Sequence, residues 1–156
     1  MNTEITRRFE FDAAHRVYGH EGKCANLHGH RYVALVTVLA PRLDELGRVV
    51  DFSILKEVIG KWIDENWDHN ILLNSEDPMG QVIWEHTRKE IRLLDSKSLI
   101  LKNPFFFIDE NPTAENIAAY LLNKCKILLE KYTTIKPVRV EVYETPNCSA
   151  TVRAEE

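Results

Sequence analysis

The stretch HRYVALVTVLA, residues 30–40, decides the fold. It is rich in apolar and β-branched side chains, and Pro41 closes it, which is typical of a strand. Upstream, residues 5–11 alternate with a period of two, which indicates a half-buried strand that ends near His15. A turn-rich stretch with Gly19 and Gly22 lies between the two segments. We therefore predict an antiparallel pair of strands.

Two later segments change to a helical period. In the first, residues 47–70, Asp51 or Ser53 is a plausible N-cap and the helix ends just before Asp68. In the second, Asn111 or Thr113 is the cap, before a long amphipathic stretch that extends to about Tyr132. The apolar stripes of the two helices comprise Ile54, Val58, Ile59, Trp62 and Ile63, and Ile117, Tyr120, Leu121, Leu128 and Leu129.

The C-terminal part alternates again over residues 136–145 and, after a TPN turn, predicts a short closing strand. We expect an insert at about residues 74–110, in which a weakly helical segment precedes an apolar run broken by Pro104. Because no linker or repeat interrupts the chain, we expect one α+β domain over residues 1–156.

The composition of the chain limits the kinds of ligand and partner that it is expected to bind. The chain has 156 residues, a formal net charge of -4 and three widely spaced cysteines, without an apolar leader or an apolar run of membrane-spanning length. We expect a cytoplasmic protein with reduced thiols and no membrane or nucleic-acid partner. An anionic ligand would need a local basic patch, for which Arg16, Lys23 and Arg31 are candidates, although surface charge explains them equally well.

Three histidines are the strongest candidates for a metal site. His28 and His30 are two residues apart and point to the same side of a strand that begins near Leu27. His15 ends the partner strand and can supply a third nitrogen. Three imidazoles with an open fourth position describe a catalytic zinc site, whereas ordinary hydrogen-bonded histidines are the competing explanation.

Other candidates are a loop thiol and carboxylates near strand or helix ends. Cys24 is a ligand, a nucleophile or base, or an ordinary thiol; Cys125 fits a buried core position better. Asp68 and His69 form a proton-transfer pair or a solvated helix end. Glu144 aligns with apolar strand positions, so it lies at a solvated strand end or binds the amidine edge of a ligand.

Six ordered blocks, FDAAHR, CANLHGH, VVDF, WDHNILLN, NPTAEN and VYETPN, resemble the 6-pyruvoyltetrahydropterin and 6-carboxytetrahydropterin synthase family over nearly the whole chain. The resemblance implies the tunnelling fold, in which two helices back a four-stranded antiparallel sheet. It also implies a homo-oligomer, usually a hexamer, whose sheets join into a barrel and whose active sites draw residues from two chains.

The resemblance also implies roles for individual residues. His15, His28 and His30 would bind zinc, Cys24 would be the general base, and Asp68 with His69 would form the second proton-transfer group. Glu144 would anchor the pterin ring, and Thr113 and Glu115 belong to a motif near the pterin pocket. The implied substrate is 7,8-dihydroneopterin triphosphate, and zinc would act on its side chain as a Lewis acid.

The spacing Cys24-x3-His28 resembles the carboxy-forming branch, which serves queuosine and other deazapurine pathways. The expected activity is that of a lyase, which forms 6-carboxy-5,6,7,8-tetrahydropterin and releases acetaldehyde and triphosphate. The pyruvoyl-forming sister enzyme, without side-chain cleavage, is the first alternative. A non-catalytic zinc- or pterin-binding module is the second.

Overall fold

A computed structural model describes residues 2–93 and 104–155, with only the backbone given for residues 87–93. The six strands in this part of the chain are β1 (Thr3–His15), β2 (His28–Ala40), β3 (Asn70–Asn74), β4 (Phe105–Ile108), β5 (Lys136–Thr145) and β6 (Cys148–Arg153). The helices are α1 (Phe52–Leu55), α2 (Lys61–Asn66), α3 (Pro78–Leu93) and α4 (Ala114–Leu128), with a π-helical turn (Lys56–Gly60) joining α1 to α2 and a short 3-10 turn (Lys23–Ala25) before β2.

The sheet has the order β4-β3-β1-β2-β5-β6. The predicted pairing of β1 with β2 is confirmed: the strands are antiparallel and run in register from Thr3 opposite Ala40 to His15 opposite His28. β5 and β6 continue this antiparallel arrangement on one side. On the other side, β3 pairs in parallel with the end of β1, and β4 pairs in parallel with β3.

The predicted four-stranded sheet was therefore incomplete, although the α+β class is correct. β3 and β4 add two parallel strands, and α3 is a further helix, so that the segment interpreted as an insert contributes to the sheet itself. A short apolar run such as FFFI has no periodicity that separates a strand from a buried helical turn. Residues 94–103 of this segment lie outside the described residues.

The two predicted helix starts are confirmed by their caps. Asp51 accepts a hydrogen bond from the Ser53 amide at 2.8 Å, and the Thr113 hydroxyl accepts one from the Asn116 amide at 3.4 Å. Capping side chains satisfy amides that have no partner within the helix. The caps fix where both helical segments begin, and Thr113 is thereby held next to the end of β1.

The core lies between one face of the sheet and these helices. Among the fully buried residues are Phe11 of β1, Tyr32 of β2, Ile59 of the π-helical turn and Leu121 of α4. Cys125 is also buried there, as predicted, and burial raises the pKa of its thiol to about 12. None of the described helices is long and apolar enough to cross a membrane.

Candidate metal centre and its surroundings

Three imidazoles converge on the core-facing side of the sheet. His15 and His28 are opposite each other in the β1–β2 register, and His30 follows on the same face of β2. One nitrogen from each ring lies within 4.8 Å of the other two, which is the spacing at which a single ion can be bound. The convergence expected from the sequence is therefore present, and the three side chains form a group that can hold a metal ion.

Hydrogen bonds fix the orientation of two of the rings. His15 donates from Nδ1 to the Pro112 carbonyl oxygen at 2.7 Å, and His28 donates from Nδ1 to the Asn26 carbonyl oxygen at 2.7 Å. A carbonyl only accepts, so in the neutral rings each Nε2 carries a lone pair. The two Nε2 atoms are 3.2 Å apart. A cation relieves the repulsion between facing lone pairs, and outer hydrogen bonds of this kind are usual for ligating histidines.

The third ring supports the same conclusion. His30 Nε2 is buried and has no hydrogen-bond partner among the described residues. Burial lowers the pKa of His15 and of His30, which favours the neutral imidazole that a metal requires. Neutral nitrogen donors suit zinc, and three of them leave a position open for a substrate. The donor set therefore fits the metal that the sequence predicts.

Glu144 lies against this cluster. Its carboxylate oxygens are 3.6 Å from His30 Nε2 and 3.8 Å from His15 Nε2, too far for hydrogen bonds. Burial, the larger effect, lowers the pKa of both rings, whereas the carboxylate charge at this distance raises it. Glu144 borders two cavities, one of about 260 Å³ that reaches Cys24 and one of about 720 Å³ that extends from Glu144 and His30 over the opposite face of the sheet, past Arg31. The carboxylate thus faces space in which a small molecule can bind beside the histidines.

Cys24 lies on the 3-10 turn before β2, and its carbonyl oxygen accepts a hydrogen bond from the Val17 amide at 2.8 Å. Cys24 lines the smaller cavity together with His15 and Glu144. Thr113 and Glu115, at the start of α4, line the same cavity. The structure therefore gathers four of the residues predicted for catalysis or substrate binding around the histidine that ends β1.

Asp68 and His69 form a hydrogen-bonded pair elsewhere. His69 Nδ1 is 2.7 Å from an Asp68 carboxylate oxygen, and the His69 side chain is 78% exposed. Two bonds to Asp12 hold the pair at the edge of β1, one from the His69 amide at 2.7 Å and one from the Asp12 amide to Asp68 at 2.8 Å. His69 has a φ of 59°, which lies in the left-handed region that few residues other than glycine adopt. Strained backbone of this kind is frequent at functional sites.

The pair does not share the cavity of Cys24. His69 lines a separate cavity of about 430 Å³ with Asp12 and Arg31, whose side chains leave the sheet on the face opposite to the three histidines. Within one chain, the structure therefore does not bring Asp68 and His69 together with Cys24. Their common role in catalysis stays a prediction.

Two features of the surroundings were not predicted. His20, to which no role was assigned from its position in the sequence, lines the Cys24 cavity, and its Nδ1 accepts a hydrogen bond from the Gly22 amide at 2.8 Å. Arg16 pairs with Asp77, and Arg31 pairs with Glu10 and Asp12. No local pattern identifies these partners, which lie up to 61 residues away along the chain.

A six-stranded sheet with three imidazoles at one end of its two central strands, a neighbouring thiol and a facing carboxylate define a protein with a candidate catalytic metal centre. The family described as 6-pyruvoyl tetrahydropterin synthase matches residues 4–155. The chain belongs to this family.

Individual relatives refine the comparison. The 6-carboxy-5,6,7,8-tetrahydropterin synthase of Rickettsia felis is 43% identical over 146 residues, which cover 93% of this chain and 96% of the relative. The protein of the same name from Aquifex aeolicus is 32% identical over an alignment of 173 positions, which covers 99% of this chain and 100% of the relative.

Solved structures agree on the fold. An uncharacterized protein from Wolinella succinogenes superposes with a TM-score of 0.84 at 26% identity, over 99% of both chains. The 6-pyruvoyl tetrahydropterin synthase of Caenorhabditis elegans superposes with a TM-score of 0.65 at 21% identity, over 99% of this chain and 97% of that one. The latter comparison supports the architecture alone.

Proposed function

We propose that this protein is a zinc-dependent lyase that converts 7,8-dihydroneopterin triphosphate and one water molecule to 6-carboxy-5,6,7,8-tetrahydropterin, acetaldehyde and triphosphate. The observation that carries the proposal is the cavity in which Cys24 and Glu144 lie beside the histidine cluster. Relatives named 6-carboxy-5,6,7,8-tetrahydropterin synthase at up to 43% identity and the short Cys24-x3-His28 spacing support the carboxy-forming reaction.

His15, His28 and His30 hold the metal in this proposal. Bound zinc supplies Lewis-acid chemistry, which makes protons on carbon next to a polarised oxygen easier to remove. The hydrogen bonds from His15 to Pro112 and from His28 to Asn26 occupy Nδ1 of each ring, so the two Nε2 atoms would bind the ion.

Cys24 removes a carbon-bound proton from the substrate side chain, and its Sγ holds that proton during the reaction. Glu144 orients the pterin, because a carboxylate accepts two parallel hydrogen bonds from the exocyclic amine and the adjacent ring N–H. Thr113 and Glu115 border the same cavity and contribute to substrate binding. The larger cavity beside Glu144, about 720 Å³, has a volume in the usual range of small-molecule sites.

Asp68 and His69 supply the second proton-transfer group. The pKa of His69 is raised mainly by its hydrogen bond to Asp68, so the imidazole retains a proton to higher pH. Because the cavity that His69 lines does not include Cys24, we propose that His69 serves the site of a second copy in a homo-oligomer. A hexamer whose sheets join into a barrel is the form that the resemblance implies.

The test is incubation of the zinc-loaded protein with 7,8-dihydroneopterin triphosphate, followed by mass spectrometry of the pterin and an assay for acetaldehyde. The proposal expects a 6-carboxy product with stoichiometric acetaldehyde. Cys24→Ala and His69→Ala should each abolish turnover, whereas the control Val82→Ala, at a 66% exposed position that lines none of these cavities, should retain it.

Each alternative has its own outcome in this experiment. A pyruvoyl product without acetaldehyde would assign the sister activity. Bound zinc and an intact oligomer without any product would identify a non-catalytic zinc- or pterin-binding module. Full turnover in both Cys24→Ala and His69→Ala would refute the roles given to these two residues.

A further inference from the structure

A buried ion pair connects the start of α3 with the loop that carries Cys24. Arg16 follows His15 directly, and its Nε and Nη2 donate to the two carboxylate oxygens of Asp77 at 2.7 and 3.1 Å. The Asp77 side chain has no exposed surface, and that of Arg16 is 18% exposed. A two-point contact between a guanidinium and a carboxylate fixes both distance and orientation, so the pair is a rigid link.

The Asp77 end of the link belongs to α3. Asp77 also accepts a hydrogen bond from the Met79 amide at 2.9 Å, and its carbonyl oxygen accepts one from the Gln81 amide at 3.3 Å. A helix start is thereby tied to the position of the carboxylate. Gly80 keeps this end of α3 close to the sheet, because a Cβ there would lie 2.9 Å from Leu73 Cδ1.

The Arg16 end of the link belongs to the Cys24 loop. Arg16 Nη1 donates to the Ala25 carbonyl oxygen at 3.3 Å, and the amide of Val17 donates to the Cys24 carbonyl oxygen at 2.8 Å. Two consecutive carbonyl groups of the loop are therefore held from two consecutive residues after β1. Displacement of the guanidinium would release the first contact directly and loosen the second.

From these contacts we infer that Asp77 is a positioning residue: through Arg16 it fixes the loop on which Cys24 is presented to the metal centre. The inference deepens the proposed function and rests on the role of Cys24 given there. It assigns a task to α3, the helix that lies within the segment predicted to be an insert. A mutation far from the reacting atoms that misplaces a catalytic group by about 1 Å can reduce turnover by about 100-fold.

Two variants test the link. Asp77→Asn keeps an oxygen that caps α3 but removes the charge that holds Arg16, and Arg16→Lys keeps the charge but loses the two-point contact. Val82→Ala is the matched control, since Val82 lies on α3 and is 66% exposed. Each zinc-loaded variant is treated with iodoacetamide, and alkylation of every cysteine is followed by peptide mass spectrometry.

The other two cysteines serve as internal references. Cys125 is fully buried and reports global unfolding, whereas Cys148 is exposed and reports the activity of the reagent. We expect Cys24 to be alkylated several-fold faster in Asp77→Asn and Arg16→Lys while Cys125 stays protected. Alkylation of Cys24 at the wild-type rate in both variants would overturn the inference. Simultaneous alkylation of Cys125 would also overturn it, because the Arg16–Asp77 pair would then stabilise the whole fold.

Turnover gives the second readout. A positioning role predicts that kcat for the pterin substrate falls about 10-fold to 100-fold in Asp77→Asn, with KM nearly unchanged, because only the presentation of the base is altered. The alkylation result does not depend on turnover. If the wild-type protein forms no product, the proposed function fails while faster alkylation of Cys24 still supports the link.

Discussion

The chain uses histidine in two contrasting environments. His15, His28 and His30 converge on the core side of the sheet, where burial lowers the pKa of His15 and His30. His69 lies on the opposite side with most of its side chain exposed, and the adjacent Asp68 raises its pKa. The same imidazole is therefore held neutral in one place and favoured as a cation in the other.

This difference assigns complementary tasks to the two regions. A neutral imidazole offers a lone pair to a metal, whereas a charged imidazole beside a carboxylate delivers or accepts a proton. Desolvation is sufficient to lower the pKa of a histidine, and one neighbouring negative charge is sufficient to raise it, so neither environment requires a special side chain. The comparison makes separable predictions, because a change in one region should leave the chemistry of the other intact.

The largest effect is expected from His30→Ala, which removes one of the three proposed metal ligands. Bound zinc, measured by elemental analysis after dialysis, should fall from about one per chain to near zero, because a site with two imidazoles is far weaker. Turnover should fall by more than the roughly 100-fold that loss of an outer-shell partner costs. His86→Ala, which removes an exposed histidine of α3, is the control and should retain zinc. Retention of full zinc by His30→Ala would mean that the cluster is not the metal site.

Local patterns in the sequence predicted the convergence of the three histidines. The period-two alternation, the His-x-His spacing and the position of His15 at the end of a strand are short-range features, and together they fixed the β1–β2 pair and its three imidazoles. The two helix caps, Asp51 and Thr113, were predicted on the same basis. These features succeed because each depends on side chains a few residues apart or on one antiparallel register.

Long-range features were not predictable in this way. The pairing of β3 with β4 joins segments more than 30 residues apart, and the Arg16–Asp77 pair joins residues 61 positions apart. Adjacency in the sequence also concealed that Asp68 and His69 would lie across the sheet from Cys24. Such contacts depend on how the complete sheet is assembled, which one sequence does not encode as a local pattern.

An intermediate effect is expected from Asp68→Asn. The amide keeps the shape of the side chain but removes the charge that raises the pKa of His69, so the imidazole should lose its proton at lower pH than in the wild type. We expect the corresponding limb of the kcat profile to move to lower pH and kcat to fall by about 10² to 10⁴-fold, as for loss of acid–base assistance. Zinc content should not change, which separates this variant from His30→Ala.

A smaller effect is expected from Tyr32→Phe, directly below the histidine cluster. The Tyr32 ring stacks on Phe11 at 5.1 Å between centroids and contacts His15 and His30 edge-on, but its hydroxyl is buried without a partner among the described residues. Removing an unsatisfied buried hydroxyl should leave the free energy of unfolding unchanged or raise it by about 1 kcal/mol. Denaturant unfolding measures this. A loss of more than about 2 kcal/mol would show that the hydroxyl is bonded in solution.

The smallest effect concerns the pH dependence of stability at the exposed pair. The pKa of His69 is raised in the folded protein above the ordinary value of 6.5. Its stabilising contribution is therefore fully present below that value and is lost as the pH rises through the folded pKa. Asp12 and Asp64 act in the same direction as Asp68.

The difference in unfolding free energy between wild type and Asp68→Asn should consequently be larger at acidic than at alkaline pH. In this difference the contributions of the buried His15 and His30 cancel. Their lowered pKa values would otherwise make stability change with pH in the opposite direction. His69→Gln should show the same pH dependence as Asp68→Asn, since either variant breaks the pair. A difference that is independent of pH would mean that Asp68 acts only through its bond to the Asp12 amide, and that the charge on His69 is not linked to folding.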